Sequence, residues 1–558
     1  MTTTMTAIPK RTLSGSYMPV PATNMASNLE LSAQRYPAKT AIVYYGTEIS
    51  FAQLWREVEA LAGYLERIGV KRGDRVVLFA QNSPQWVVAF YAILRANAVV
   101  VPLNPMLVSE EIGKFIDDSG ATVAFVGSEI APRLEPYLEK SLRSVLVMHY
   151  ADALTEPTEF AIPPSVTSPV PPLDDRFLSM KAAIAEGRQP GPLTAAADDI
   201  AVLPYTSGTT GVPKGCVHTH RSCNASVFTS LHWAQLNAGN VSLSALPYFH
   251  VTGMMVDMNV GMAIGGTVVI MTRWDSATAL ELIKRYEVTQ WTAIATMVVD
   301  FLSRPDVDAQ ALRSMRRISG GGAPLPAAVS ERLFALTGLR YLEGYGLSET
   351  IATTHANPEG AEKTQCLGVP TFNVLSLVVD PTTFEMLPTG EVGEIITSAP
   401  QVMRGYWNKP ALDAETFVER DGHRYLRTGD LGYVDDEGYF FMVDRLKRMI
   451  NASGFKVWPA EVETSLFGHP AVREACVIGT VDPRRGETTK ALIVLREGVG
   501  ATAEEIIAWA KTKMSAYKVP TVIEFVKDLP RGATGKVAWR ELQEAEYRRT
   551  GTALASAP

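Results

Sequence analysis

The strongest chemical signal is a loop at residues 205–215, YTSGTTGVPKG, which combines glycines, hydroxyl groups and one lysine. It follows the apolar run 200–204, so we expect the loop to begin at the end of a strand. Glycines let backbone N–H groups approach an anion closely, the hydroxyls add donors, and Lys214 adds positive charge. The loop therefore predicts a polyphosphate site. It is not a Walker A loop, because Pro213 precedes Lys214.

Two further clusters supply the groups that the rest of a nucleotide would need. Residues 344–350, GYGLSET, place glycines on both sides of Tyr345, whose ring suits a stacked base. Glu349 beside a polyphosphate suits Mg²⁺, a hard cation that prefers oxygen ligands. In residues 427–430, RTGD, Asp430 could accept hydrogen bonds from two ribose hydroxyls. These clusters predict contacts to base, metal ion and ribose.

The elements that must position these clusters alternate between strands and helices. Ser50 with Gln53 forms a capping-box pattern ahead of a helix that Gly69 ends, and apolar strands are predicted at 75–80 and 98–103. Continuous apolar strands separated by helices predict parallel sheets covered on both faces. After about residue 444 the pattern changes to a compact α+β region of about 110 residues, typical of a separate small domain.

We therefore predict an α/β fold with two domains. Residues 1–446 form a large N-terminal domain of parallel or mixed sheets covered by helices, with a flexible start of about twenty residues. Residues 447–558 form a small mobile C-terminal α+β domain, with a hinge near Lys447.

Composition excludes several classes of protein. The 558 residues are 46% hydrophobic, which excludes a mainly disordered chain, and the net charge of −7 without clustered Lys and Arg argues against nucleic acid as a partner. The four cysteines show no metal-site or disulfide spacing and are interpreted as reduced thiols of a cytoplasmic protein. No run reaches the length of a membrane span, and the N-terminus lacks a secretory signal.

The motifs resemble those of a known family. YTSGTTGVPKG, GYGLSET, RTGD, DRLKRMINASGFKVWPAEVE at 444–463 and PRGATGK at 530–536 stand in the order of the core motifs of the ANL superfamily of adenylate-forming enzymes. The resemblance extends from about residue 30 to residue 545. It implies an enzyme that joins a carboxylate to Mg·ATP, giving an acyl-adenylate and pyrophosphate, after which a thiol, usually that of CoA, displaces AMP.

Site residues follow from the resemblance by position. Thr206 and Glu349 match the Mg²⁺ ligands, and Lys536 matches the lysine that bridges the carboxylate and the α-phosphate during adenylation. We expect Thr206, His250, Glu349 and Lys536 to be the catalytic residues. The ATP-binding residues, besides Lys536, are Thr206, Ser207, Gly208, Thr209, Thr210, Gly211, Lys214, Gly322, Ala323, Pro324, Glu343, Gly344, Tyr345, Gly346, Asp430 and Arg445.

The family uses two orientations of the small domain, one for each half-reaction. Lys447 occupies the hinge position, and a rotation there would withdraw Lys536 and bring Ser453, Gly454 and Phe455 to line a thiol tunnel for CoA.

The motif PYFHVTG, residues 247–253, matches the segment beside the acyl pocket. We expect the pocket to include His250, Val251, Met254, Gly320 and Gly321. Amino-acid-adenylating relatives carry an Asp near this motif, so Phe249-His250 favours an acid without an α-amino group.

Met254, Met255, Met258 and Met262 stand at near-helical spacing, with Met297 expected nearby. They suit either an adaptable apolar pocket or a plain buried helix. The glycines 320–322 leave room for an extended or an aromatic acid.

The sequence therefore predicts an acyl-CoA synthetase that acts on a medium- or long-chain fatty acid, with ATP and Mg²⁺ as cofactors and CoA as co-substrate. One alternative is an aryl-CoA ligase for acids such as benzoate, phenylacetate or coumarate. Another is a stand-alone adenylation enzyme that loads a carrier protein. A different class is a non-catalytic nucleotide-binding protein that has kept the fold. The oligomeric state stays open, with a homodimer among the alternatives.

Overall fold

The computed structural model describes residues 17–550 except 139, 156, 208–212, 323–324, 453–454, 483–485 and 532–536. The predicted site residues Gly208, Thr209, Thr210, Gly211, Ala323, Pro324, Ser453, Gly454 and Lys536 lie outside this set, as do the side chains of Ser207, Lys447 and Phe455. The described chain divides into two compact units. Unit 1 holds Met1–Ser376 and Thr397–Leu426, and unit 2 holds Leu377–Ile396 and Arg427–Pro558.

The strands are β1 Thr40–Tyr44, β2 Thr47–Ser50, β3 Arg75–Phe79, β4 Val99–Leu103, β5 Val123–Gly127, β6 Ser144–Met148, β7 Phe177–Ser179, β8 Ile200–Val202, β9 Tyr205–Ser207, β10 Pro213–Gly215, β11 His218–Thr219, β12 Val241–Ser244, β13 Thr267–Ile270, β14 Gln290–Thr292, β15 Arg317–Gly321, β16 Tyr341–Leu347, β17 Ala352–Ala356, β18 Val369–Pro370, β19 Leu375–Val379, β20 Gly393–Ser398, β21 Phe417–Arg420, β22 His423–Val434, β23 Phe440–Arg445, β24 Ile450–Ala452, β25 Phe455–Val457, β26 Val472–Asp482, β27 Gly486–Leu495 and β28 Val522–Phe525.

The α-helices are α1 Ala26–Arg35, α2 Phe51–Arg67, α3 Pro84–Arg95, α4 Ser109–Ser119, α5 Pro164–Thr167, α6 Met180–Ala185, α7 His220–Trp233, α8 Val260–Ile264, α9 Ser276–Tyr286, α10 Ala295–Ser303, α11 Ala327–Thr337, α12 Pro410–Thr416, α13 Pro459–Phe467, α14 Ala503–Lys513 and α15 Trp539–Thr550. A π-helical segment, Gly253–Asn259, runs directly into α8.

Two large sheets form the body of unit 1. The first has the order β18-β17-β16-β15-β14-β12-β13-β1-β2 and is parallel from β16 to β1, with antiparallel strands at both ends. The second has the order β11-β8-β4-β3-β5-β6-β7 and is parallel except for the β11–β8 pair. Apolar residues of helices pack on both faces of each sheet, which confirms the predicted α/β class.

Local sequence signals explain where the helices begin. The Ser50 side chain accepts a hydrogen bond from the Gln53 N–H at 3.2 Å and so caps α2. The Gln53 side chain turns instead to Glu57, so only the serine half of the predicted capping box forms. Ser83 caps α3 in the same way, ahead of Pro84 at the first helical position.

Unit 2 contains a small antiparallel sheet with the order β25-β24-β27-β26, and β28 joins β27 in parallel. Helices α13 and α14 cover one face, and residues of α15 pack on the other. This is the α+β pattern that the sequence predicts for the C-terminal region. The boundary at residues 446/447 stays a prediction.

Within the described ranges, no helix is both long and apolar enough to cross a membrane. All four cysteines are buried and none forms a disulfide.

Candidate active site

The antiparallel hairpin β9–β10 frames the polyphosphate loop. Its register places Thr206 opposite Lys214, with Tyr205 opposite Gly215. A predicted metal ligand and the predicted phosphate-binding cation therefore stand side by side at the base of the loop.

The hairpin is anchored on the end of α4. The Tyr205 hydroxyl donates to Asp118 Oδ2 at 2.7 Å, and Lys409 Nζ pairs with Asp118 Oδ1 at 2.8 Å. The indole N–H of Trp407 donates to the Asp118 carbonyl at 3.1 Å. Because Asp118 binds both the hairpin and the segment 407–409, it ties these two segments to the end of α4.

The segment 404–407 runs antiparallel to the chain that follows β10. The Trp407 N–H donates to the Gly215 carbonyl at 2.8 Å, and the Val217 N–H donates to the Gly405 carbonyl at 2.9 Å. A Cβ on Gly405 would overlap the Asp413 carboxylate, which accepts the Tyr406 N–H at 2.8 Å. Backbone pairing and this close approach together fix Tyr406.

The Tyr406 side chain lies between two predicted site residues. Its hydroxyl donates to Glu349 Oε1 at 2.8 Å, and Lys214 Nζ lies 5.7 Å from its ring centroid. Burial, followed by the charge of Glu349, raises the pKa of Tyr406, so the hydroxyl stays a phenol that donates. Lys214, Tyr406 and Glu349 thus form one contiguous set, called here the Lys–Tyr–Glu set.

Backbone hydrogen bonds hold the turn that carries Glu349, a single 3₁₀ turn at Ser348–Thr350. The Met403 N–H donates to the Glu349 carbonyl at 2.8 Å, and His218 Nε2 lies 2.7 Å from the Ser348 carbonyl oxygen. Burial lowers the pKa of His218 to about 4, so its ring is neutral and its Nε2–H donates. These contacts orient Glu349.

The chain is strained directly after this turn. Ile351 has φ +44° and Ala352 has φ +99°, a region that residues with a Cβ rarely adopt. A Cβ on Gly346 would overlap the Ala352 carbonyl oxygen, so glycine is required there. Strain of this kind persists only where the surrounding contacts impose it, and it clusters at functional sites.

The donors in this region suit Mg²⁺ held together with substrate phosphates. Glu349 offers a carboxylate and Thr206 a hydroxyl, and Mg²⁺ commonly takes one or two protein oxygens and completes its octahedron with phosphates and water. The described residues contain no group of three or more His, Cys, Asp or Glu side chains that could enclose a metal. Glu349 and Thr206 therefore fit an ion that arrives with a nucleotide.

The predicted base pocket is built where β15 and β16 pair. Gly321 stands opposite Gly344, and a Cβ on Gly321 would overlap the Gly344 carbonyl oxygen. The carboxylate of Glu343 accepts the N–H groups of Leu325 at 3.1 Å and Cys366 at 3.0 Å, which ties two loops to the strand. The structure thus brings the 320–322 glycines beside the GYG motif.

Tyr345 packs against a buried histidine. Its ring meets His355 edge-on at 5.5 Å between centroids, and burial lowers the pKa of His355 to about 3. The ring is therefore held by a neutral partner. The glycine at position 320 has a structural reason of its own, since a Cβ there would overlap the Ala293 carbonyl oxygen and the Tyr341 hydroxyl.

The turn that carries His250 is held by Asn82, a residue that no sequence motif marks. The Asn82 amide donates to the Leu246 carbonyl and its oxygen accepts the Tyr248 N–H, both at 2.8 Å. Asn82 is buried, and the Tyr248 hydroxyl lies 2.9 Å from Ser244 Oγ. One side-chain amide thus fixes the backbone on both sides of Pro247.

The methionine stripe lies in a π-helix and the first turn of α8 rather than in one regular helix. Met254, Met255, Met258 and Met262 are fully buried in the largest core cluster of unit 1, while Met297 belongs to a different cluster. The Asn259 side chain donates to the Met254 carbonyl at 2.9 Å, across one turn of the π-helix. These methionines are core residues, and the pocket role of Met254 stays a prediction.

In unit 2 the two predicted nucleotide contacts are paired. Arg445 Nε lies 3.0 Å from Asp430 Oδ1, and the two residues stand opposite each other on β23 and β22. Beside them, the buried carboxylate of Glu394 accepts the Gly429 N–H at 3.1 Å and pairs with Arg427 at 2.9 Å. The RTGD segment of β22 is therefore tied to Glu394 on β20 and to Arg445 on β23.

Sequence reasoning missed Tyr406, Asn82 and His218. None has a spacing relation to the motif that it supports, because each reaches its partner through the tertiary fold.

Comparison with known proteins decides the family. The AMP-binding enzyme model matches residues 29–407, and the model of the AMP-binding enzyme C-terminal domain matches residues 461–536. The chain belongs to the AMP-binding enzyme family. This confirms the predicted ANL superfamily and its acyl-CoA synthetase branch, and it confirms an enzyme of the acid–thiol ligase class.

Within the AMP-binding family, the chain is 34% identical over 539 residues to the long-chain-fatty-acid–CoA ligase of Bacillus subtilis, covering 95% of this chain and 96% of the relative. It is 34% identical over 513 residues to a feruloyl-CoA synthase of Amycolatopsis, covering 92% and 96%. The crystal structure of ATP-bound MatB from Rhodopseudomonas palustris is similar with a TM-score of 0.84 and 28% identity, covering 95% of this chain and 99% of that one.

Proposed function

We propose that the protein is an ATP-dependent carboxylic acid:CoA ligase whose acid is a medium- or long-chain fatty acid. In the first half-reaction the carboxylate attacks the α-phosphate of ATP, forming an acyl-adenylate and releasing pyrophosphate. In the second, the CoA thiol attacks the acyl carbon, and AMP leaves as the thioester forms.

The observation that carries this proposal is the Lys–Tyr–Glu set beside the polyphosphate loop. Adenylation joins two anions at phosphorus, so the barrier depends on charge neutralisation and in-line positioning. Lys214 supplies fixed positive charge next to Thr206, while Glu349 supplies a carboxylate held by Tyr406. Mg²⁺ would neutralise phosphate charge when bound, with Glu349 and Thr206 as its protein ligands.

The role proposed for unit 2 is supported by the paired residues Asp430 and Arg445 and by the resemblance of its motifs to those of the ANL superfamily. We assign Asp430 to the ribose hydroxyls and Arg445 to a second nucleotide contact, as the family's motifs imply. Lys447 as hinge, residues 453–455 as the thiol tunnel and Lys536 as the adenylation lysine belong to the same proposal, with the domain boundary at 446/447.

The choice of a fatty acid is supported by the surroundings of His250. The segment that follows His250 is apolar and buried, and its one acidic residue, Asp257, lies within the core. Burial raises the pKa of Asp257 well above the ordinary carboxyl range, so it does not present a carboxylate to a substrate ammonium group. The similarity to a long-chain-fatty-acid–CoA ligase points the same way.

An aryl-CoA ligase is the second candidate, and the feruloyl-CoA synthase of equal identity is the observation that favours it. Loading of a carrier protein remains the alternative for the second half-reaction.

The test is thioester formation with Mg·ATP across acetate, butyrate, octanoate, palmitate, benzoate, phenylacetate and coumarate, with CoA or a phosphopantetheinylated carrier protein as acceptor. We expect the highest kcat/KM with octanoate or palmitate and free CoA. A maximum with an aromatic acid would replace the fatty-acid assignment by the aryl one. Turnover only with the carrier protein would contradict CoA as acceptor.

A further inference from the structure

We propose that Tyr406 is a positioning residue that keeps Lys214 and Glu349 apart and aims the carboxylate at the metal ion. This inference rests on the proposed function, because it concerns the same phosphate-binding region. Tyr406 stands outside the motifs that the resemblance assigns.

The first step is electrostatic. An ammonium and a carboxylate in a partly buried site attract each other strongly when they can touch. A direct Lys214–Glu349 ion pair would consume the cation needed for phosphate and the carboxylate needed for metal. Tyr406 contacts both residues: its hydroxyl donates to Glu349 Oε1, and Lys214 Nζ lies 5.7 Å from its ring centroid.

The second step is directional. The hydroxyl donates to Glu349 Oε1, which fixes the rotation of the carboxylate group. The backbone of Glu349 is held by Met403, only three residues before Tyr406. Side-chain and backbone anchors of Glu349 therefore come from one segment, and a ligand oriented by a neighbouring hydrogen bond binds metal more tightly.

The third step shows that the arrangement is built into the fold. Tyr406 forms an antiparallel bridge with Cys216, two residues after Lys214. The Gly405–Asp413 approach fixes the Tyr406 backbone from the other side. The tyrosine thus moves as one body with the strand that carries the lysine.

The test begins with Tyr406→Phe, which keeps the ring under Lys214 and removes the hydroxyl. Mn²⁺ binding is titrated by EPR in the presence of α,β-methylene-ATP, together with binding of the analogue without metal. We expect the Kd of Mn²⁺ to rise about tenfold, as for other groups that support a metal ligand, while the Kd of the metal-free analogue changes less than about twofold. An unchanged Mn²⁺ Kd would overturn the proposal.

A second variant tests the spacer role. Tyr406→Leu removes ring and hydroxyl, so we expect Lys214 to pair with Glu349 and the metal-free analogue to bind about tenfold more weakly. Adding Glu349→Gln to Tyr406→Leu removes the competing carboxylate and should restore binding of the metal-free analogue. A double variant that binds no better than Tyr406→Leu alone would contradict the spacer role.

The matched control is Tyr547→Phe, which removes another tyrosine–glutamate hydrogen bond, that to Glu487 at 3.2 Å. It should leave both dissociation constants unchanged, and a loss of affinity as large as that of Tyr406→Phe would overturn the assignment.

A wild-type protein that binds Mn²⁺ and the analogue but exchanges pyrophosphate with no acid would contradict the proposed function alone. Wild-type protein that binds no Mn²⁺ with the analogue would overturn the inference.

Discussion

Two regions of unit 1 contrast in how they are built. The predicted phosphate end comprises Thr206, Lys214, Glu349 and Tyr406. All four residues are half-buried, and the Tyr406 hydroxyl donates a hydrogen bond to Glu349. The predicted acyl end comprises residues 246–262, most of which are buried. The phosphate end is specified by individual polar groups, whereas the acyl end is specified by volume and shape.

This difference explains what each end can determine. Charge neutralisation at phosphorus needs the same few groups whatever the acid, so the phosphate end fixes the reaction class. Discrimination by an apolar pocket is weaker, because one methylene changes binding by only about 1–3 kcal/mol. The acid therefore depends on packing details that many sequences can satisfy.

The largest expected effect is at the phosphate end. Glu349→Gln removes the charge of the predicted metal ligand while keeping a hydrogen-bond acceptor for Tyr406. We expect acid-dependent pyrophosphate exchange to fall by about a hundredfold to a thousandfold, the range seen when a group that stabilises transition-state charge is lost. The melting temperature should stay close to that of the wild type, and exchange at a wild-type rate would remove Glu349 from the site.

A smaller effect at the acyl end distinguishes a methionine that only packs in the core from one that also borders the predicted acyl pocket. Met254→Ala leaves a cavity in the core and should lower the free energy of unfolding by about 3 kcal/mol. Met262→Ala is the matched control, because it is equally buried in the same cluster and lies outside the predicted pocket.

Both variants should lose similar stability, measured by denaturant unfolding. If Met254 borders the acyl pocket, only Met254→Ala shifts the preference toward longer fatty acids in kcat/KM. Identical chain-length profiles for both variants would assign Met254 to packing alone.

The smallest effect is a pH dependence at the phosphate end. Burial lowers the folded-state pKa of His218 to about 4, against about 6.5 when unfolded, so the unfolded chain binds more protons below pH 6.5. The contribution of His218 to the free energy of unfolding is complete above pH 6.5 and is lost as the pH falls toward 4. The loss amounts to about 2 kcal/mol at pH 5.

Comparing thermal unfolding at pH 7.5 and pH 5.0 tests this account. The wild type should lose stability at pH 5.0, and His218→Gln should lose less. The variant should still lose some stability, because burial also lowers the pKa values of His220 and His355. An equal loss in the variant would contradict a neutral buried His218.

The sequence predicted the α/β class and the small α+β region, and the structure confirms both. Thr206 and Lys214 lie together because they share one hairpin, and the β15 glycines lie beside the GYG motif because β15 and β16 are paired strands. The roles of these residues stay predictions. Tyr406 and Asn82 escaped prediction because their contacts span 57 and 166 positions of the chain. The π-helix at 253–259 escaped because near-helical spacing does not distinguish it from an α-helix.

The most direct measurement mixes the protein with Mg·ATP and palmitate in the absence of CoA and quenches within one turnover. We expect near-stoichiometric palmitoyl-adenylate with an equal amount of pyrophosphate, and conversion to palmitoyl-CoA when CoA is then added. Release of ADP and phosphate, or no acyl-adenylate with any carboxylic acid, would contradict it.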